Sequence, residues 1–412
     1  MGEIIVGIDI GTTKVCTVIG RSKKEKELEI LGKGKALNHG VKKGIIVDIE
    51  STSNAIKASV QQAEASANLK VKSAYVNIMG THVIVINNHG VVLVSNENKE
   101  ISLKDVEKVL FNARSIEVEE DMQVIDVIPR QYIIDGYDEI VDPVGMAGIK
   151  LEVDVDVVTA KITSVQNIIK SMERAGLKIN GIVVEAMASG EIALSSDEKE
   201  MGIILIDVGG GITDISFIKN KKLLFYDSIP VGGEHITNDI SIGMKIKYQE
   251  AEKLKREYEL ALSSLIKNDQ DVQVIDANDN RKKTIKISQL VEIIEARVYE
   301  IFSLSKASME KVGINPSNAS KIVLIGGGIS CMDGGIQLAG EVFGIPVRIS
   351  TVRVDGVSKS EYITAAGIIR HISKNRRFGG SGSDVTVPVN KKTAKNESRW
   401  KKMFSKIFSD LF

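Results

Sequence analysis

The sequence predicts an α/β protein built from two similar halves. Three observations carry that prediction. Strand-like and helix-like segments alternate through most of the 412 residues. A short aspartate–glycine hairpin at Asp9 recurs at Asp207 with the same apolar flanks. A block of closely spaced strand patterns interrupts the first half, between residues 84 and 162.

Each element follows from local pattern. Residues 6–10 and 15–19 are apolar runs around a Gly-Thr-Thr-Lys turn, which reads as a β-hairpin. Residues 48–68 place Ile49, Ala55, Ile56, Val60 and Ala63 near a 3.6-residue period, so a helix is expected. Ser102 with Asp105 forms a capping-box pattern for a helix through Arg114, and Ser164 opens another with Val165, Ile168, Ile169 and Met172 on one face. The strands of the inserted block are expected at 83–86, 91–94, 124–128, 132–134 and 151–158. The second half begins near Met201, with strands at 204–208 and 212–218 around Gly209-Gly210-Gly211. Helices over 248–265 and 288–312 follow, then a strand over 321–325 that runs into Gly326-Gly327-Gly328, and a helix over 360–372. These readings divide the chain into a first domain (1–83 and 163–200), the insert (84–162) and a second domain (201–372, with a small subdomain at about 235–320). Residues 373–396, rich in Lys, Arg, Gly, Ser and Asn, read as a flexible linker.

Composition narrows the function classes. Lys plus Arg and Asp plus Glu both count 54, so no global basic field points to nucleic acid. The two cysteines, Cys16 and Cys331, have neither metal-ligand spacing nor a disulfide framework, which suits a reducing compartment. The chain opens directly into a strand pattern and has no run of about 18 apolar residues, so neither a signal peptide nor a spanning helix is expected.

The repeated hairpin carries the chemistry. A tight turn of small residues exposes backbone N–H groups in a concavity that suits phosphate. Asp9 and Asp207, at the entries to the two turns, can hold Mg²⁺ through its waters, and Lys14 and the threonine hydroxyls can meet phosphate oxygens. One such turn is just a glycine hairpin; two of them, in matching halves, can clamp one triphosphate. The third glycine loop permits close approach of the backbone to a ring or ribose.

The order of phosphate loop, phosphate loop and adenosine loop resembles the superfamily of actin, sugar kinases and heat-shock ATPases. Within it the chain is similar to the FtsA family of bacterial cell-division proteins, on residues 6–20, 40–48 (GVKKGIIVD), 142–148 (DPVGMAG), 202–214 and 230–243 (PVGGEHITNDISIG). The resemblance implies an actin-like two-domain ATPase fold with an inserted small α+β subdomain, a flexible C-terminal linker and an amphipathic helix. It implies ATP and Mg²⁺ as cofactors, with Gly11, Thr12, Thr13 and Lys14 as the first phosphate loop and Gly209, Gly210, Gly211 and Thr213 as the second. Asp9 and Asp207 would lie near the metal, Gly326, Gly327 and Gly328 beside the nucleoside, and Glu252, Lys255 and Arg256 on a helix against adenosine. Glu185 stands where relatives polarise the attacking water, although a capping or surface role suits it too. Ile212 replaces a threonine common in relatives and removes a hydroxyl, which argues for slow hydrolysis at most. The resemblance further implies self-assembly, with the insert in contacts between protomers, and a meeting with the tubulin-like protein FtsZ in which Arg297 takes part. An ordinary exposed helix arginine is the plain alternative for Arg297.

At the C-terminus, Trp400, Met403, Phe404, Ile407, Phe408, Leu411 and Phe412 form one helical stripe. Arg399, Lys401, Lys402 and Lys406 flank it, so it reads as an interfacial membrane anchor on an anionic surface, too short to span. Packing on the protein's own core, or into a partner's groove, remains open. Half-burying seven large side chains yields about 7–10 kcal/mol, close to the ordering entropy of about 1 kcal/mol per residue, so one copy binds weakly and a polymer binds firmly. The expected protein is therefore a membrane-tethered adaptor at the division site, on the cytoplasmic face. A small-metabolite phosphotransferase of the same superfamily is the alternative, and a chaperone-type ATPase lacks a long substrate-binding region here.

Overall fold

A computed structural model describes residues 3–22, 28–329, 332–350, 360–375 and 385–386. Its frame is two five-stranded sheets of identical topology. In the first, Ile4–Ile10 pairs antiparallel with Lys14–Ser22, which pairs antiparallel with Leu28–Leu37. On its other edge Ile4–Ile10 runs parallel to Ser73–Ile78, itself parallel to Lys178–Val184. In the second, Ile203–Val208 pairs antiparallel with Thr213–Lys219 and that strand with Lys222–Ile229, while Lys321–Ile325 and Val347–Ile349 extend it in parallel. The repeat seen in the sequence is thus a repeat of whole sheets. The central strands read as continuous apolar runs because both faces of each sheet are covered.

Helices complete five layers. Ile49–Ala67 and Ile162–Arg174 bury Ile56, Val60, Ile168 and Met172 against the outer face of the first sheet. Gly233–Gly243, Tyr248–Tyr258, Ile287–Lys311 and Gly335–Phe343 cover the outer face of the second. Between the sheets lie Glu185–Ala193 and Ile363–Asn375, in a core shared by Ile5, Val18, Val183, Leu205, Val323 and Ile368. Contact in this middle layer leaves no room for a Cβ. An added methyl on Gly7 would overlap the Ala365 carbonyl, and one on Gly367 the Ala188 carbonyl.

The insert is a four-stranded antiparallel sheet in the order Tyr137–Ile140, Met122–Ile134, Lys150–Lys161, Val83–Leu93, with helix Leu103–Arg114 packed on one face. Ser102 and Asp105 form the expected capping box. Asp48 caps the Ile49–Ala67 helix, which ends on Asn68 in the left-handed region.

Several boundaries differ from the sequence pattern. The strands expected at 83–86 and 91–94 are one, because the polar residues Asn87, Asn88 and His89 stay paired along Lys150–Lys161. Met122–Ile134 likewise joins two expected strands, with register shifts in its pairing. The helix expected over 248–265 stops at Tyr258, where Glu259 takes φ 45°. The Ile162–Arg174 helix starts two residues before Ser164. The segment read as a linker from 373 begins inside the Ile363–Asn375 helix, and Val385–Thr386 pairs with Lys70–Val71. The amphipathic stripe at 400–412 and Cys331 lie outside the described residues. Cys16 is buried, which raises its thiol well above the ordinary value.

The closeness of Gly7 to the middle layer gives a test. Gly7→Ala is expected to destabilise the chain by about 1–3 kcal/mol, the usual effect of overpacking. Denaturant titration of both proteins measures it.

Candidate functional site

The two hairpin turns close in the same way. The Gly11 N–H donates to the Lys14 carbonyl at 2.9 Å, and the Gly209 N–H to the Ile212 carbonyl at 3.0 Å. This aligns Asp9 with Asp207 and Lys14 with Ile212, so a lysine stands in the first turn alone. The turns abut across the cleft: a Cβ on Gly210 would overlap Thr13, and one on Gly211 would overlap Thr12. Glycine in the second turn is therefore required by its partner in the other half.

The third loop joins from the neighbouring strand. Gly326 has φ 95°, and a Cβ there would overlap the Val208 carbonyl and the Asp207 carboxylate. The Gly328 N–H donates to the Val208 carbonyl at 3.1 Å, and Lys14 Nζ lies 3.4 Å from where a Gly327 Cβ would stand. The start of helix Gly233–Gly243 is tied to the second turn, with Gly233 N–H on the Gly209 carbonyl at 2.9 Å and Glu234 N–H on the Gly210 carbonyl at 2.8 Å. Lys255 Nζ donates to the Gly233 carbonyl at 2.9 Å, to Thr237 Oγ1 at 2.6 Å and to Glu252 Oε2 at 2.6 Å. Three glycine segments and a buried lysine thus converge on one cleft.

Carboxylates line its floor. Asp9, Glu185 and Asp214 are buried, and Asp207 is half-buried. Burial, partly offset by Lys14, raises Asp9 from 3.8 to about 7. Burial and the charges of Asp214 and Asp9 raise Asp207 to about 8. Burial raises Asp214 to about 6 against the hydrogen bonds of Ser228 and Tyr226. Glu185 is raised well above its ordinary value by burial and by the other three carboxylates.

The structure brings together Asp9, Gly11, Thr12, Thr13, Lys14, Glu185, Asp207, Gly209, Gly210, Gly211, Thr213, Glu252, Lys255, Gly326, Gly327 and Gly328. The Thr213 hydroxyl, however, donates to the Val231 carbonyl at 2.8 Å, which ties its strand to the segment leading into helix Gly233–Gly243. Arg256 is exposed, bound to Glu252 at 2.6 Å on the outer side of its helix. Arg297 lies on the Ile287–Lys311 helix, paired with Asp239 at 2.5 Å and with Glu300.

Four residues were not picked out from sequence. Asn77 Nδ2 donates to Asp9 Oδ1 at 2.9 Å and to Glu185 Oε2 at 3.1 Å, while its Oδ1 accepts from the Ile10 N–H at 2.7 Å. Its signal was a polar residue inside the fully buried strand Ser73–Ile78. Asn38 staples the first turn through the Gly11 carbonyl at 2.8 Å. Asp214 accepts from Tyr226 at 3.0 Å and from Ser228. Glu361 pairs with Lys14 across 347 positions, a contact that no local pattern shows.

The carboxylate oxygens are hard donors, the type that divalent cations such as Mg²⁺ prefer. Among the described residues no three His, Cys, Asp or Glu side chains are grouped so as to hold a metal ion.

This combination of two matched sheets, apposed glycine turns and a shared cluster of carboxylates defines an actin-like two-domain α/β protein. Solved structures of that class overlie nearly the whole chain. MreB5 of Spiroplasma citri bound to ADP matches with TM-score 0.56 at 14% identity, over 91% of this chain and 97% of that one. The PilM-PilN type IV pilus biogenesis complex matches with TM-score 0.57 at 17% identity, over 90% and 98%. Family models are more specific: "Cell division protein FtsA" matches residues 204–367 and "SHS2 domain inserted in FTSA" matches residues 80–159. The cell division protein FtsA of Bacillus subtilis is 36% identical over 94% of this chain and 87% of its own length. That of Pseudomonas aeruginosa is 35% identical over 93% and 92%. The chain belongs to the FtsA family of cell-division proteins.

The raised carboxyls set a pH dependence for protein free of nucleotide and divalent ions. Asp207 binds its proton more tightly folded than unfolded, so its contribution to stability is full below about pH 4 and lost as pH rises through about 8. Asp207→Asn is neutral throughout. The variant is expected to melt above the parent at pH 8.5, with the gap narrowing steadily toward pH 4. A gap that does not change with pH contradicts the shift.

Proposed function

We propose that the cleft binds ATP with Mg²⁺ and that the chain is a self-assembling adaptor holding FtsZ filaments on the cytoplasmic membrane at the division site. The observation that carries the nucleotide reading is the abutment of the Gly11–Lys14 and Gly209–Ile212 turns, one from each half, over a floor of four carboxylates. A polyphosphate laid along their seam would meet backbone N–H groups from both turns and the Lys14 ammonium. Asp9 and Asp207 would hold Mg²⁺ through its waters, and the ion would supply the positive charge that the floor and the phosphates both lack. MreB5, of the same fold, has been solved with ADP and with AMPPNP.

Gly326, Gly327 and Gly328 would receive the nucleoside, with Lys255 and Glu252 at its edge. Thr213 would support the second turn through Val231, and Arg256 would sit outside the pocket. Glu185 would polarise water, held in place by Asn77. Its raised pKa and the absence of a hydroxyl at Ile212 favour slow turnover, so ATP would serve mainly to set the closure of the two halves and hence filament geometry.

Membership of the FtsA family supports a role in division. No helix among the described residues is long and apolar enough to cross a membrane, so attachment would fall to the stripe from Trp400 to Phe412 with Lys401, Lys402 and Lys406. Arg297 would contribute to the FtsZ contact by exchanging Asp239 and Glu300 for a partner's acidic groups. The insert would take part in contacts between protomers.

Co-sedimentation with anionic liposomes tests the adaptor. The intact chain is expected to pellet with vesicles, more strongly with ATP, and to bring added FtsZ filaments down with it. A truncation ending at Glu397 is expected to leave both in the supernatant. If both forms stay soluble in every condition, the membrane reading fails.

A further inference from the structure

The ammonium of the first turn already has an anionic partner. Lys14 Nζ lies 3.4 Å from Glu361 Oε2. The same carboxylate meets Lys35 Nζ at 3.1 Å through each of its oxygens. Glu361 belongs to the short turn Ser360–Tyr362 that leads into helix Ile363–Asn375. That turn has its own fastening to the first sheet: Tyr362 is buried, Lys33 Nζ stands 5.6 Å from its ring centroid, and Lys33 and Lys35 share strand Leu28–Leu37. Burial works against the Glu361 charge, yet the Lys35 bond and the two ammoniums hold its carboxyl below the ordinary value, so it is an anion at neutral pH.

We propose that Glu361 is an internal competitor of phosphate, holding Lys14 when no polyphosphate is present and yielding it, while staying on Lys35, when a nucleoside triphosphate enters the cleft. The inference rests on the nucleotide reading above. Three features support it. The contacts are unequal: Lys35 is held through both oxygens and Lys14 through one longer contact, so the Lys14 contact yields first. The travel is short, because Lys14 Nζ already stands beside the third glycine loop, 3.4 Å from where a Gly327 Cβ would be. The carboxylate also keeps a cation after the exchange, so it is not left as an unpaired charge beside the phosphates. Glu361 thereby lowers nucleotide affinity, which favours exchange over permanent occupancy. Lys35 sets how strongly it does so.

A double-mutant cycle separates this from a charge acting at a distance. Full-length protein, Glu361→Gln, Lys35→Met and the double variant are titrated with ATP and Mg²⁺ at low ionic strength. Glu361→Gln is expected to bind ATP about three- to fivefold more tightly, the size of a partly exposed ion pair. Lys35→Met is expected to bind more weakly by a similar factor, because Glu361 then rests wholly on Lys14. The double variant is expected to match Glu361→Gln alone. Additive effects, with Lys35→Met weakening ATP equally in both backgrounds, overturn the competition. Weaker binding by Glu361→Gln also overturns it, since the carboxylate would then be supporting the site. If the parent chain binds no ATP, the nucleotide reading falls and this inference with it.

Discussion

Asp9, Glu185, Asp207 and Asp214 meet in one cleft where Lys14 offsets the charge of two of them. Their crowding is the constraint on which the rest of the site depends. Carboxylates this close and this poorly solvated resist ionisation together, so without a counter-ion the cleft holds protons near neutral pH. Such a floor opposes folding as pH rises, and on the proposed reading it would receive positive charge from outside. The glycine turns and the Lys14 ammonium beside it would then bring phosphates to that charge.

The middle layer explains how both halves share the cleft. Helix Glu185–Ala193 begins with Glu185 in the site, and the turn Ser360–Tyr362 that leads into helix Ile363–Asn375 carries Glu361, which touches Lys14. The two helices pack through Gly367 and Ala188 without space for a side chain. At the far end Glu191 pairs with Lys199 at 2.7 Å and with Lys374. These charges hold the Glu191 carboxyl down to about 2 despite its burial, and ion pairs of this kind fix the relation of the helices.

Much of this was legible in the sequence, for identifiable reasons. The hairpins at Asp9 and Asp207, the capped helices and the strand into Gly326 are local, and local pattern found them. The turns facing one another could be expected from the repeat, since two similar halves with equivalent loops invite a shared ligand. Boundaries were lost where tertiary pairing overrode propensity, as at Asn87–His89, which lies within the single strand Val83–Leu93. Site residues were lost where contact spans the whole chain, as in Lys14 with Glu361, or where a single buried polar side chain such as Asn77 acts through hydrogen bonds rather than a motif. The Thr213 hydroxyl shows the converse. The family resemblance put it in the second phosphate loop, and in the structure its hydroxyl donates to the Val231 carbonyl.

The central claim is that one ligand is held by both halves at once. Hydrogen exchange of the full-length chain, with and without ATP and Mg²⁺, tests it most directly. Protection is expected to appear together in the Gly11–Lys14 turn, the Gly209–Ile212 turn and the Gly326–Gly328 loop at one ATP concentration. Protection confined to one half, or reached at separate concentrations in the two, would contradict it.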